Sequence, residues 1–290
     1  MLPSEIRVRE ALAGQPGLVL GTTFLPLAAI EGLMWGSRHA PMRVAAACGN
    51  IGADFAFVHA SEVWADEAVG RIGECGTATM WVVDGPLGRV AADDGWDATL
   101  RQSALDPMAL GRAMDRHMPQ AIEQVRRGLR LEVAAIVVAD DLAGAEGPLV
   151  SPDFALEEVL PRCARLAEEA ALEAVPSVFH SDGDMRLLMA GIRTAGFAAL
   201  HPGGLGVEQF EAVLAVARRA GMLMLGGISG DALRAGDAAA VAAGTGAALW
   251  AEAGGLLISD DGGISTPQEL AALVEAFAAA RRDVTQGSDS

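Results

Sequence analysis

The chain has 290 residues, is 51% hydrophobic and carries a formal net charge of −17 at pH 7. That excess of acid argues against a nucleic-acid groove or an anionic membrane surface as partner. No apolar run approaches the ~20 residues of a membrane helix, and Met1-Leu-Pro-Ser-Glu-Ile-Arg7 has no signal-peptide core, so a cytoplasmic protein is expected. Lysine and tyrosine are both absent. Schiff-base mechanisms, a P-loop lysine and a phenolic acid or base are thereby removed, which leaves Asp, Glu, His, Arg, Ser, Cys or a bound metal to do any chemistry. Cys48, Cys75 and Cys163 are far apart and form no CxxC pair, so they read as buried thiols.

In chain order, short apolar runs predict strands at Leu18–Phe24, Asp54–Ala60, Ala78–Asp84, Val133–Ala139, Pro176–His180, Phe197–His201, Met222–Gly226 and Gly255–Ser259. Helix-sized segments lie between them. Ala155–Ala174, Met185–Ala195, Val207–Gly221 and Pro267–Arg282 have helical spacing of apolar residues, and Pro267 follows Ser265 and Thr266 as a start signal. Eight strand–helix units are the pattern of a (β/α)8 TIM barrel over residues 1–282. A doubly wound open sheet would show a Gly-rich turn after its first strand, and Gly21-Thr-Thr-Phe24 is not one. The third unit looks abbreviated or irregular. Gly85–Gly95 reads as a turn-rich hairpin or lid, the insertion spans 85–105, and Ala78–Asp84 could belong to that hairpin outside the barrel. Asp106 and Pro107 then open a long helix. Residues 283–290 are polar and expected to fray. Trp35, Trp64, Trp81, Trp96 and Trp250 are scattered and read as core or lid packing; His39 and His117 read as surface residues of helical stretches.

The candidate site gathers at strand ends, where α/β proteins bind ligands. The run Val175–Phe179 ends abruptly in His180, Asp182 and Asp184, with Gly183 marking the turn. Asp140 and Asp141 close the fourth strand; neighbours on a strand point to opposite faces, so at most one of them faces the barrel axis. His201 closes the sixth strand, either in the site or as a hydrogen-bonded packing residue. His59 and Glu62 flank the end of the second strand, and a lone glutamate there is more often solvated than catalytic. Gly226-Gly227-Ile-Ser229 ends the seventh strand as a tight turn or an anion loop, with Gly227 and Ser229 as the candidate substrate contacts.

Several motifs together resemble the uroporphyrinogen decarboxylase superfamily. They are Ala139-Asp-Asp-Leu-Ala-Gly-Ala-Glu-Gly-Pro-Leu-Val-Ser-Pro152, Pro161, Phe179-His-Ser-Asp-Gly183, Ala195-Gly-Phe-Ala-Ala-Leu-His-Pro202, Leu225-Gly-Gly-Ile228 and Gly254-Gly-Leu-Leu-Ile-Ser-Asp260, in order over residues 133–282. Gly52–Glu62 is similar to the family's second-strand region. The chain is shorter than a usual member, the loss falling between Arg101 and Val133; a barrel of ~250 residues still fits.

The resemblance implies a TIM barrel with one of two chemistries. The methyltransferase branch of the family holds zinc through His-x-Cys after the fifth strand and a Cys after the eighth. Here His180 stands at the His, Asp182 at the first Cys, and Asp260 or Asp261 at the last. His180, Asp182 and Asp260 are therefore the expected metal ligands, suited to Zn, Fe or Mn, although oxygen donors suit thiolate activation less well. An unmetallated polar network stays open beside this. A corrinoid would enter only through a partner protein, with folate or a thiol as alternative partners. The decarboxylase branch needs no cofactor and uses an aspartate after the second strand, a position Glu62 matches; its Arg-rich N-terminal motif is replaced by Leu18-Val-Leu-Gly-Thr-Thr-Phe24. Glu62, Asp140, Asp141 and His201 are the catalytic candidates and His59 a substrate contact. A small-molecule methyltransferase-like enzyme is expected first, a metal-free lyase second and a non-catalytic binding barrel third. A homodimer is expected from the apolar, Ala-rich helix faces.

Overall fold

Eight strands close a parallel barrel in the computed structural model, which describes residues 2–23, 25 and 40–287, the last five as backbone only. They are β1 Leu20–Thr22, β2 Phe55–His59, β3 Ala78–Asp84, β4 Ala135–Ala139, β5 Ser177–Asp182, β6 Ala199–Gly203, β7 Leu223–Ile228 and β8 Leu256–Asp260. Each strand pairs with its neighbours in sequence, and β8 returns to β1 through Leu20↔Ile258 and Gly21↔Ser259. The architecture is a (β/α)8 barrel.

Strict alternation along each strand divides the apolar residues between two cores. Phe55, Phe57, Met80, Val82, Val137, Val178, Leu225 and Leu257 fill the barrel interior, and Val8, Ala11 and Leu12 of the helix Pro3–Leu12 plug its N-terminal end. A side chain at Gly21 could not fit, because a Cβ there would lie 2.1 Å from the Phe55 ring. The intervening residues, among them Val58, Trp81, Ile136, Phe179 and Ile258, face the outer helices in a second, larger cluster. Each fully buried Val, Leu, Ile, Phe or Met contributes about 1.5–3 kcal/mol by leaving water, which sets the strand order without polar help.

The third unit differs from expectation. Ala78–Asp84 is a full barrel strand paired to both β2 and β4. The segment 85–105 is no hairpin; it forms the helices Pro86–Asp94 and Trp96–Leu105, followed by Pro107–Arg130. Pro86 takes the first turn, where its missing N–H is no loss. The next two N–H groups, of Leu87 and Gly88, donate to the Asp140 carboxylate at 3.1 and 2.6 Å, a cap supplied from a distant part of the chain. The Pro152–Ala171 segment widens over Ala155–Val159 just ahead of Pro161, which has no N–H to keep the ordinary helical bond. The tail expected to fray from residue 283 instead continues the helix Pro267–Gly287; residues 288–290, Trp35, His39 and Phe24 lie outside the described residues. His117 is half-buried and sits 3.5 Å from Asp93. Cys48 and Cys163 are buried as expected, whereas Cys75 is exposed. Among the described residues, no helix is long and apolar enough to cross a membrane.

Candidate functional site

The inward alternation that fills the barrel with apolar residues turns polar at its C-terminal mouth. The inward positions there include His59 on β2, Asp84 on β3, Asp141 beyond β4, His180 and Asp182 on β5, His201 and Gly203 on β6, and Ser259 on β8. Registry sets several side by side: Ala139 pairs with His180, His180 with His201 and Asp182 with Gly203.

Two histidines form the floor. Their rings stack at 4.9 Å, and the edge of His201 meets Phe57 at 5.5 Å. Burial, and then the neighbouring His180, push the His201 pKa down to about 3, so His201 stays neutral. Its Nε2 lies 3.1 Å from the Asp260 carbonyl oxygen, an acceptor, so Nε2 carries the hydrogen and Nδ1 the lone pair. His180 Nδ1 then donates, at 2.8 Å to His201 Nδ1 and 3.1 Å to the His201 carbonyl. The relay leaves the His180 lone pair on Nε2, the nitrogen that faces Asp182 Oδ1 at 3.9 Å.

Two carboxylates lie beside that imidazole. Asp141, His180 and Asp182 each offer a ligand atom, all within 4.8 Å of one another. Asp141 Oδ1 also accepts the Asp182 N–H at 3.0 Å, which holds the two acids together. Burial raises the Asp182 pKa; the His180 ring opposes this and the Asp141 carboxylate adds to it. Gly203 makes the space, for a Cβ there would lie 1.9 Å from Asp182 Oδ1. Gly183 turns the chain out of β5 with φ +84°, and a side chain on it would strike the Gly144 carbonyl.

The other expected site residues divide. Asp140 faces outward: it is buried, caps the Pro86–Asp94 helix and accepts from the Cys163 thiol at 3.7 Å. Burial pushes its carboxyl up to about 7, against the opposing pull of the Gly88 and Leu87 N–H groups. Of the adjacent pair, Asp141 is thus the one in the mouth. Asp260 does not join the cluster. It is fully buried and accepts from Thr23 N (2.9 Å), Thr23 Oγ1 (2.5 Å) and Gly262 N (3.0 Å), tying β8 to the end of β1. Asp261 is likewise occupied, by the Gly230 and Gly263 N–H groups. In the group of side chains close enough to share an ion, Asp141 stands with His180 and Asp182, where Asp260 was expected. Glu62 is exposed in the turn after β2. Ser229 caps the short helix Gly230–Arg234 through Ala232 N, and a side chain on Gly227 would point at Ala247 and Leu256 beneath the outer helices. His59 is in the mouth, its Nε2 3.0 Å from Asp84 Oδ1. Asp84 was not among the expected site residues, although it ends an apolar run as His180 does. Burial would raise its pKa, but the His59 hydrogen bond and the pull of the His59 ring and Arg89 bring it below the ordinary carboxylate value. A cavity of about 1010 Å³ lies at the opposite end of the barrel between Leu2, Arg9, Arg130 and Glu173 and touches none of these groups.

A (β/α)8 barrel of this outline is found among solved structures. A methyltransferase from Methanosarcina mazei superposes with a TM-score of 0.73 at 17% identity, over 98% of this chain and 100% of that one. The shared property is the fold. A ligand-free tryptophan synthase from M. tuberculosis (TM-score 0.51, 11% identity, 97% of this chain and 98% of that one) is more distant. So is the carboxyl transferase domain of Rhizobium etli pyruvate carboxylase (0.50, 11%, 96% and 48%). No family model and no curated protein matches. The likeness reaches the barrel fold; the uroporphyrinogen decarboxylase resemblance rests on the sequence motifs alone.

The donor set decides which metal would fit. Imidazole and carboxylate oxygens suit Zn²⁺, Fe²⁺ or Mn²⁺. A thiolate-rich zinc site is not reproduced, because Cys48 and Cys163 are buried elsewhere and Cys75 follows an outer helix.

Proposed function

We propose that this protein is a metal-dependent barrel enzyme of methyl-transfer type acting on a small molecule. The observation that carries the reading is the convergence of Asp141, His180 and Asp182 at the barrel mouth. A divalent cation held there would act as a Lewis acid that lowers the pKa of a bound thiol or hydroxyl acceptor. His180 would bind through Nε2, while His201 fixes its ring and tautomer from behind, as an outer partner of a metal-bound histidine does. Asp141 and Asp182 would offset the positive charge, which also relieves their mutual repulsion. Asp260 holds β1 to β8 and takes no part in binding. A corrinoid protein, a folate or a methylated thiol as methyl carrier, and a homodimeric assembly, belong to the same proposal.

The decarboxylase reading has less support. Arg89, Arg186 and Arg234 follow strand ends, yet each is engaged within the chain, with the Asp84 carbonyl, Asp184 and Asp231 respectively. They do not form a clamp for a polycarboxylate.

The test is methyl transfer from methylcobalamin to a panel of thiols, read by mass spectrometry, with protein loaded in turn with Zn²⁺, Fe²⁺ and Mn²⁺. Metal-dependent transfer that His180→Ala abolishes is expected. Transfer that is equal in chelator, or in His180→Ala, would overturn the reading.

A further inference from the structure

The mouth holds a second constellation that the metal cluster does not use. His59 Nε2 lies 3.0 Å from Asp84 Oδ1, and His59 Nδ1 lies 2.7 Å from Ser61 Oγ. An ionised carboxylate can only accept, so Nε2 carries the hydrogen, and the Ser61 backbone N–H donates to Nδ1, which therefore holds the lone pair. The Ser61 hydroxyl therefore donates to Nδ1. The Ser61 N–H also points at Nδ1, at 3.2 Å, and sets the serine against the ring. Hydroxyl, imidazole and carboxylate thus stand in the order and tautomer of an activated nucleophile: a base within reach of the hydroxyl, itself oriented by a third group. Ser61 is exposed just beyond β2, on the face where barrel enzymes do their chemistry. Val63, two residues on and 98% exposed, offers apolar surface for an acyl group.

We propose that Ser61 is a nucleophile for acyl transfer, with His59 as its base and Asp84 as the orienting group, acting on an ester or thioester of a short acyl chain. Ser61 Oγ forms a bond to the acyl carbon while its proton passes to His59 Nδ1. The carbon–oxygen or carbon–sulfur bond to the leaving group breaks, and that alcohol or thiol takes the proton from His59. Water then gives a proton to His59, attacks the acyl-serine and releases the carboxylic acid, and the proton returns to Ser61. No metal enters, so the proposal stands apart from the methyl-transfer reading.

Diisopropyl fluorophosphate reports on such a serine, since attack at phosphorus expels fluoride and leaves a stable adduct. The protein is treated with the reagent in the presence of EDTA, and adducts are located by peptide mass spectrometry. One adduct per chain at Ser61 is expected. It should be absent in Ser61→Ala and form at least ten-fold more slowly in His59→Gln and Asp84→Asn. Circular dichroism of each variant verifies the fold. The absence of an adduct at Ser61 in the wild type, or one that forms equally fast in His59→Gln, would overturn the proposal and leave the contact as a local turn. Because EDTA is present throughout, failure here is separate from failure of the metal reading.

Discussion

Replacing Asp260 by alanine separates the two roles that residue was open to. The carboxylate is fully buried and accepts from Thr23 N, Thr23 Oγ1 and Gly262 N at 2.9, 2.5 and 3.0 Å. In Asp260→Ala the threonine hydroxyl can rotate to another acceptor, but the two backbone N–H groups are fixed in place. The Thr23 N–H is buried and left without a partner, at a cost of about 1–3 kcal/mol, while the half-buried Gly262 N–H can bond water instead, so the loss is about 1–3 kcal/mol, set against a total stability of about 5–15 kcal/mol. For a chain of this size each kcal/mol moves Tm by roughly 2–4 °C, so a fall of about 5 °C is expected. Urea unfolding followed by circular dichroism measures the first figure and calorimetry the second. A parallel titration with Zn²⁺ should find the wild-type affinity unchanged. A variant within about 1 kcal/mol of wild type that has lost its metal would refute the reasoning and restore Asp260 as a ligand.

His201→Phe keeps the ring against Phe57 but removes the acceptor for His180 Nδ1, and metal affinity measured by calorimetry should fall about 10–100-fold. Gly203→Ala places a Cβ 1.9 Å from Asp182 Oδ1, so Asp182 must swing away, and affinity should fall at least about ten-fold in the same assay. Asp140 supplies a pH signature. Its carboxyl titrates near 3.8 when unfolded and at about 7 when folded, so between these values the folded state binds more protons and stability falls as pH rises. The contribution is at most about 4 kcal/mol, and Asp140→Asn should flatten urea-measured stability across that window relative to wild type; an unchanged pH profile would contradict the assignment.

The sequence showed the eight strands because each is a short apolar run and the barrel buries both faces of all of them, so no other chemistry competes with that signal. His180 and Asp182 were legible for the same reason, as polar residues arriving directly after such a run. What failed were inferences needing a partner from elsewhere in the chain. Gly85-Pro-Leu-Gly88 looks like a turn, and becomes the start of a helix because Asp140 caps it from another strand end. Asp140 and Asp141 could not be told apart until the register of β4 put Asp141 on the inward side. Asp260 sits at the end of its strand as His180 does, but its alternation turns it toward Thr23 rather than the axis. Asp84 ends the apolar run Ala-Thr-Met-Trp-Val-Val and carried the same signal as the others. It was lost with the doubt over whether its strand belonged to the barrel.

The central claim is that Asp141, His180 and Asp182 form one divalent-metal site. Calorimetric titration of chelator-treated protein with Zn²⁺, Fe²⁺ and Mn²⁺ tests it most directly. The account predicts one ion per chain for at least one of the three, with binding lost in His180→Ala, weakened in Asp141→Asn and Asp182→Asn, and unaltered in Asp140→Asn. No binding by the wild type to any of the three, or binding that survives His180→Ala, would contradict it.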